Sequence, residues 1–230
     1  MLTVACVLKS GGIYDRTWVD RLQRGVVQHM NAEHRFVCLT DTLSDDVMFE
    51  QSAGTGLAWQ RLRHGWPGWW SKMELFRLDG PVLYLDLDVV ITGSLDELIA
   101  ADCQPFDPAA FAISEQLGKT NLLVAPRDFM NKRELNSSVL FFNDCGYLYD
   151  QFAEDPDRHM SRFRGDQNFI TDRCWDALTF PPGWCVSYRR DCRTKLGVGQ
   201  LPKGARVVCF HGAPKPPDVD DPWVKEYWAA

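Results

Sequence analysis

Two carboxylates stand two residues apart in Val82-Leu83-Tyr84-Leu85-Asp86-Leu87-Asp88-Val89-Val90-Ile91. Like charges this close, beside apolar walls, raise each other's pKa unless a cation sits between them. A divalent ion that prefers hard oxygen ligands, Mn²⁺ or Mg²⁺, resolves the conflict and can bridge onward to a phosphate. The bland alternative is a solvated strand end or a pair of N-caps. Near the C-terminus, His211-Gly212-Ala213-Pro214-Lys215-Pro216 offers a neutral imidazole as third ligand and an ammonium that could neutralise phosphate. Asn136-Ser137-Ser138 and Gly165-Asp166-Gln167 add further polar groups.

These groups need elements to hold them. Val82 to Leu85 reads as a strand buried on both faces, as in a parallel sheet, with Asp86 and Asp88 aimed to one side at its carboxyl end. Open α/β sheets bind ligands at that end. Thr3–Leu8 reads as the first strand, followed by Ser10-Gly11-Gly12 and then Asp15 as N-cap of a helix carrying Val19, Leu22, Val26 and Met30. Arg35–Asp41 is the second strand, and 42–58 is expected to be loop-rich. Trp69 to Leu78 has the apolar spacing of a helix leaning on the sheet, with Lys72 near its start. Four tryptophans crowd residues 59–70, where core packing competes with stacking on a sugar ring. Ser94-Leu95-Asp96-Glu97 matches a capping box, so a short helix follows to about Ala101. Phe111-Ala112-Ile113 reads as a strand, and 115–135 as a loop region, a lid or an acceptor-side insert. Strands at 136–143 and 206–210 and helices from Gly146 and Gly165 complete the pattern. Strand–helix alternation predicts an α/β protein with a mainly parallel sheet flanked by helices. One domain spans 1–230, with a Pro- and Asp-rich tail over 217–230.

Composition narrows the function. A net charge of −6 and the absence of any lysine–arginine run argue against nucleic acid as partner. The apolar start from Met1 to Leu8 lacks a basic leader and a cleavage site, and no segment has the length to cross a bilayer. Eight cysteines include no Cys-x-x-Cys pair or zinc spacing, so buried reduced thiols are expected, with Cys185–Cys192 as the pair that an oxidising compartment could close. The expected location is the cytoplasm, with peripheral attachment to a membrane left open.

Taken in order, Asp86-Leu87-Asp88, Asn136-Ser137-Ser138, Gly165-Asp166-Gln167 and His211-Gly212-Ala213-Pro214-Lys215-Pro216 resemble the motifs of the glycogenin-like and bacterial lipopolysaccharide galactosyltransferases, over roughly Val4 to Pro216. The resemblance implies the GT-A (Rossmann-like) fold, a nucleotide-sugar donor, usually a UDP-hexose, and Mn²⁺ held by Asp86, Asp88 and His211. It further implies that Leu8, Ser10 and Tyr14 surround the nucleoside, with Tyr14 stacked on the base. Lys72, Asp86, Gly212 and Lys215 would contact the donor or its phosphates, while Asn136, Asp166 and Gln167 would face the transferred sugar. The family activity is hexosyl transfer to an acceptor hydroxyl (of a glycan, a lipid-linked saccharide or a protein) with retention. Two other readings remain. Leu83–Asp88 also resembles the first motif of haloacid-dehalogenase-type phosphatases, which would make Asp86 a nucleophile. A non-catalytic protein that binds sugar nucleotides would keep the same fold.

Overall fold

The computed structural model describes residues 1–44, 47–52, 56–194 and 198–229. It begins β1 (Leu2–Leu8), α1 (Arg16–His29), β2 (His34–Thr40), β3 (Phe49–Gln51) and β4 (Leu57–Arg61). A 3₁₀ segment, Gly68–Arg77, leads to β5 (Val82–Leu85), β6 (Val89–Ile91), α2 (Leu95–Ile99), β7 (Gln104–Pro105), α3 (Pro108–Gln116) and β8 (Leu122–Ala125). There follow β9 (Val139–Asn143), α4 (Gly146–Glu154), α5 (Pro156–Arg162), α6 (Asp166–Arg173), β10 (Leu178–Thr179) and β11 (Cys185–Ser187). A π-helical turn, Tyr188–Cys192, then precedes β12 (Val207–Cys209), a 3₁₀ turn at Pro216–Asp218 and α7 (Pro222–Ala229).

A nine-stranded sheet has the order β3-β4-β2-β1-β5-β9-β8-β10-β7, and a three-stranded sheet the order β11-β12-β6. Strands β4, β2, β1 and β5 are mutually parallel. Beyond β5 the directions mix, because β9 returns antiparallel to β5 and pairs antiparallel with β8. The α/β class and the helix-flanked central sheet hold, while the parallel order is confined to one half. Alternation along β1 builds both faces: Leu2, Val4, Cys6 and Leu8 join one buried cluster with α1, and Ala5 joins another with Trp70, Met73 and Phe76. Helix α1 starts where Asp15 accepts from Thr17 N at 2.9 Å and buries Trp18, Val19, Leu22 and Val26.

Several expectations need correction. Phe111-Ala112-Ile113 is helical, not a strand: Asp107 accepts from Ala109 N and Ala110 N, and Pro108 opens α3 at a position that needs no N–H. The presumed loop 115–135 contains β8, whose Leu123 and Val124 pair with Phe142 and Phe141 of β9. Residues 42–58, expected as loop, include β3 and the start of β4, while 45, 46 and 53–55 lie outside the described residues. The segment 217–230, expected as a tail, carries α7: Val224 is buried, and Trp228 meets Trp18 edge-on at 5.3 Å. All eight cysteines are free, Cys185 and Cys192 included, and burial pushes the Cys174 and Cys192 thiols up to about 12.

Candidate active site

A cleft of about 530 Å³ opens where β1 and β5 end and β9 begins. Lys9, Ser10, Gly11 and Gly12 line it from the end of β1, and Asp86, Leu87 and Asp88 from the end of β5. Because β9 runs the opposite way, its start (Asn136, Ser137 and Ser138) lies at this rim. Asp166 and Gln167 come from the first turn of α6, and His211 and Gly212 follow β12. The acidic pair occupies a turn, with Val89 N on Asp86 O at 3.3 Å, that carries the chain from one sheet to the other. Strand periodicity therefore does not set their common side, yet both face the same cleft.

Two lysines balance the acids. Lys72 Nζ stands 3.2 Å from Asp86 Oδ1, 3.2 Å from Asp166 Oδ2 and 3.2 Å from Ser137 Oγ. Burial pulls the Lys72 pKa down, but Asp166 and Asp86 outweigh it and hold the ammonium above its ordinary value. Its segment is anchored by Glu74, fully buried, which takes Arg63 N at 2.8 Å, His64 N at 2.7 Å and Arg77 at 2.6 Å. Lys215 does not line the cleft wall, but its ammonium sits on Asp88 Oδ2 and donates to Phe210 O at 3.0 Å. Burial, then the neighbouring Asp86, raises the Asp88 pKa, against the opposing pull of Lys215 and Tyr14. Tyr14 donates its hydroxyl to Asp88 Oδ2 at 2.8 Å, and Tyr84 to Asp86 Oδ1 at 2.5 Å. Burial first, and then Asp88, raises the Tyr14 phenol.

The sugar-side candidates form a network. Asn136 donates to Gln167 Oε1 at 3.2 Å and accepts from Ser138 N at 3.0 Å, and Gln167 donates to Asp128 Oδ2 at 3.2 Å. Asp166 is 4 % exposed and is the first residue of α6, not its N-cap, a place taken by Gly165. Its carboxylate is thus left for Lys72. His211 Nε2 and Ser187 Oγ are hydrogen-bonded at 2.6 Å, and the His211 ring stacks on Phe129 at 5.5 Å. Burial and then Arg189 lower the His211 pKa, favouring neutral imidazole. Gly212 has φ 70°, and a Cβ there would stand 3.2 Å from Arg189 Nη1.

Of the expected site residues, Leu8 is the one withdrawn into the core. It is 2 % exposed in the core, while its neighbours Val7 and Lys9 face the cleft, as strand alternation requires. Three of the four crowded tryptophans (Trp59, Trp66 and Trp70) are buried, whereas Trp69 is 56 % exposed and lines the cleft. Sequence reasoning missed Asp41, Asp128 and Ser187. Asp41 fastens the glycine turn by accepting from Lys9 Nζ at 2.5 Å, Ser10 N at 2.8 Å and Ser10 Oγ at 2.8 Å. The phosphatase reading needs a second acidic pair at the cleft. Asp221 is instead committed to Tyr188 and Gly199, and exposed Asp220 to Lys225.

The donor set can be tested against a divalent ion. The contacts to Asp86 fall on Oδ1 and those to Asp88 on Oδ2, so among the described residues each keeps its other oxygen without a hydrogen bond. Two hard anionic oxygens fit Mn²⁺ or Mg²⁺ in kind. Among the described residues, no three His, Cys, Asp or Glu side chains are gathered closely enough to hold an ion as they stand. His211 lines the same cleft but is engaged with Ser187.

No family model and no curated protein matches this chain. Solved structures do. The glycosyltransferase GlyE of Streptococcus pneumoniae aligns with TM-score 0.67 and 14 % identity over 100 % of this chain, which spans 60 % of GlyE. An active-site mutant of LgtC aligns with TM-score 0.66 and 15 % identity over 98 % of this chain and 93 % of LgtC. The galactosyltransferase LgtC in complex with donor and acceptor sugar analogs gives TM-score 0.55 and 14 % identity, over 93 % of this chain and 88 % of that one. Identities this low speak for the fold, and the fold of this chain is the GT-A type shared with these glycosyltransferases.

Proposed function

We propose that this protein is a metal-dependent glycosyltransferase that moves a hexose from a nucleotide diphosphate sugar, UDP-linked by preference, to an acceptor hydroxyl with retention of configuration. The observation that carries the reading is the meeting of Asp86, Asp88, Asp166 and Lys72 at one cleft, with Lys215 paired to Asp88, on a glycosyltransferase fold. Asp86 and Asp88, with His211 once released from Ser187, would hold Mn²⁺ or Mg²⁺. Bound there, the ion would withdraw negative charge from the departing diphosphate.

The chain's own groups do the remaining work. The Lys215 ammonium is within reach of any phosphate that approaches Asp88, and it stabilises charge that grows as the sugar–phosphate bond breaks. Ser10 and the glycine turn, braced by Asp41, shape the nucleoside end, with Tyr14 beside it. Asp166 and Gln167 face the sugar and support its cation-like anomeric carbon. Asn136 fixes Gln167, and Lys72 pairs with Asp166. With retention, a departing phosphate oxygen takes the acceptor proton, so no separate base is required. The acceptor is a saccharide, free, lipid-linked or protein-borne.

A donor-hydrolysis screen of UDP-, GDP- and TDP-sugars with and without Mn²⁺ tests the reading. Nucleoside diphosphate release is the expected outcome. Phosphate release from a phosphomonoester would favour the phosphatase, and donor binding without turnover the non-catalytic protein. No helix among the described residues is long and apolar enough to cross a membrane; a cytoplasmic setting is part of this proposal.

A further inference from the structure

A second cavity, of about 300 Å³, lies across one aromatic pair from the cleft. Phe129 lines this cavity, His211 lines the cleft, and their rings stack 5.5 Å apart at 13°. Phe180, Pro181 and Pro182 add apolar wall suited to the face of a sugar ring. Arg127 and Lys132 add charge, opposed in the lining by Asp191.

That charge is only partly balanced, by the one carboxylate of Asp191 against two cations. Among the described residues Arg127 donates to carbonyl oxygens (Phe106 O at 2.7 Å, Lys132 O at 3.3 Å and Pro105 O at 3.5 Å) and lies 4.6 Å over the Phe106 ring, with no carboxylate partner. Lys132 Nζ lies 6.0 Å from the Phe129 ring centre and meets no carboxylate among the described residues. Asp191 turns one oxygen to Ser187 N at 2.7 Å and pairs with neither cation among the described residues. In a chain of net charge −6, two cations against one carboxylate, with no ion pair to either cation among the described residues, leave this lining locally positive. An anion entering it gains charge-assisted hydrogen bonds that the protein itself does not supply.

We propose that this cavity binds the acceptor and selects an anionic saccharide, one bearing phosphate or carboxylate, with Lys132 and Arg127 on the charge and Phe129 and Pro181 on the ring. The acceptor role rests on the transferase reading; the selectivity for charge rests on the cavity alone.

The test is calorimetric titration of the whole protein with glucose, glucose 6-phosphate and glucuronate, with no donor present. Either or both anionic sugars should bind at least about tenfold more tightly than glucose. That preference should fall at higher salt. It should collapse in Lys132→Glu and survive in Lys132→Arg, while thermal melts confirm that both variants are folded. Equal binding of all three sugars, or a preference undisturbed in Lys132→Glu, would overturn the proposal. The same sugars, offered with UDP-hexose and Mn²⁺, separate the two claims. Absent donor cleavage removes the transferase reading and leaves the binding comparison to decide the cavity. Cleavage with transfer to glucose alone removes only the selectivity.

Discussion

The ammonium of Lys215 rests on Oδ2 of Asp88, joining residues 127 positions apart. One contact thereby ties the loop after β12 to the turn that links the two sheets, with a cation held where the proposed diphosphate would depart.

Lys215→Ala should slow nucleoside diphosphate release about 10²-fold, the usual loss when one donor to a developing oxyanion is removed. Steady-state kinetics should show the loss in kcat more than in KM, because the ammonium is needed most as charge accumulates. An unchanged kcat would take Lys215 out of the leaving-group site.

Lys72 has a structural role as well as a chemical one. Its side chain is 13 % exposed and bridges Asp86 and Asp166, at 20 % and 6 %. Lys72→Met leaves the two carboxylates facing each other, and stability should fall by about 3–5 kcal/mol. Urea denaturation measures this, and adding Asp166→Asn to Lys72→Met should recover part of the loss. No recovery would show that the lysine acts through packing alone.

Asp41 predicts a pH signature. Burial pushes its pKa up, but the bonds from Lys9 and Ser10 outweigh that and leave it below the ordinary carboxylate value. A depressed folded pKa means stability that is fully present above the unfolded value of about 3.9 and is lost as pH falls through the folded one. Asp41→Asn should therefore be less stable than the parent at neutral pH, and the gap should close in acid. A gap independent of pH would contradict the assignment.

Asp221 is 4 % exposed and takes the Tyr188 hydroxyl at 2.6 Å and Gly199 N at 2.6 Å. Asp221→Ala should cost about 1–3 kcal/mol, since both donors are left buried and unpaired. The π-helical turn that begins at Tyr188 follows directly on Ser187, the partner of His211, so donor cleavage should weaken in parallel. Thermal melts and the hydrolysis assay together check both effects.

The site was legible in the sequence to the extent that its groups sit beside strong local signals. The Val82–Leu85 run marked a buried strand, and the acidic pair lies at its end, though in a turn rather than on the strand. Asp15 and Ser94 announced their helices as N-caps, and both cap them. Phe111-Ala112-Ile113 misled because an apolar triplet fits strand or helix, and the deciding feature was the Asp107-Pro108 cap before it. Leu122–Ala125 is too short to declare itself, and becomes a strand by pairing with β9. Asp41, Asp128 and Ser187 carry no local signal at all. Their roles arise when elements distant in sequence bring Lys9, Gln167 and His211 to them.

The most direct test is nucleoside diphosphate release from UDP-hexose by the parent and by Asp88→Asn, each with Mn²⁺ and with chelator, beside a melt that verifies folding. Release by the parent that requires Mn²⁺, and its loss in a folded Asp88→Asn, is the predicted result. Equal release by both proteins, or release indifferent to the chelator, would contradict it.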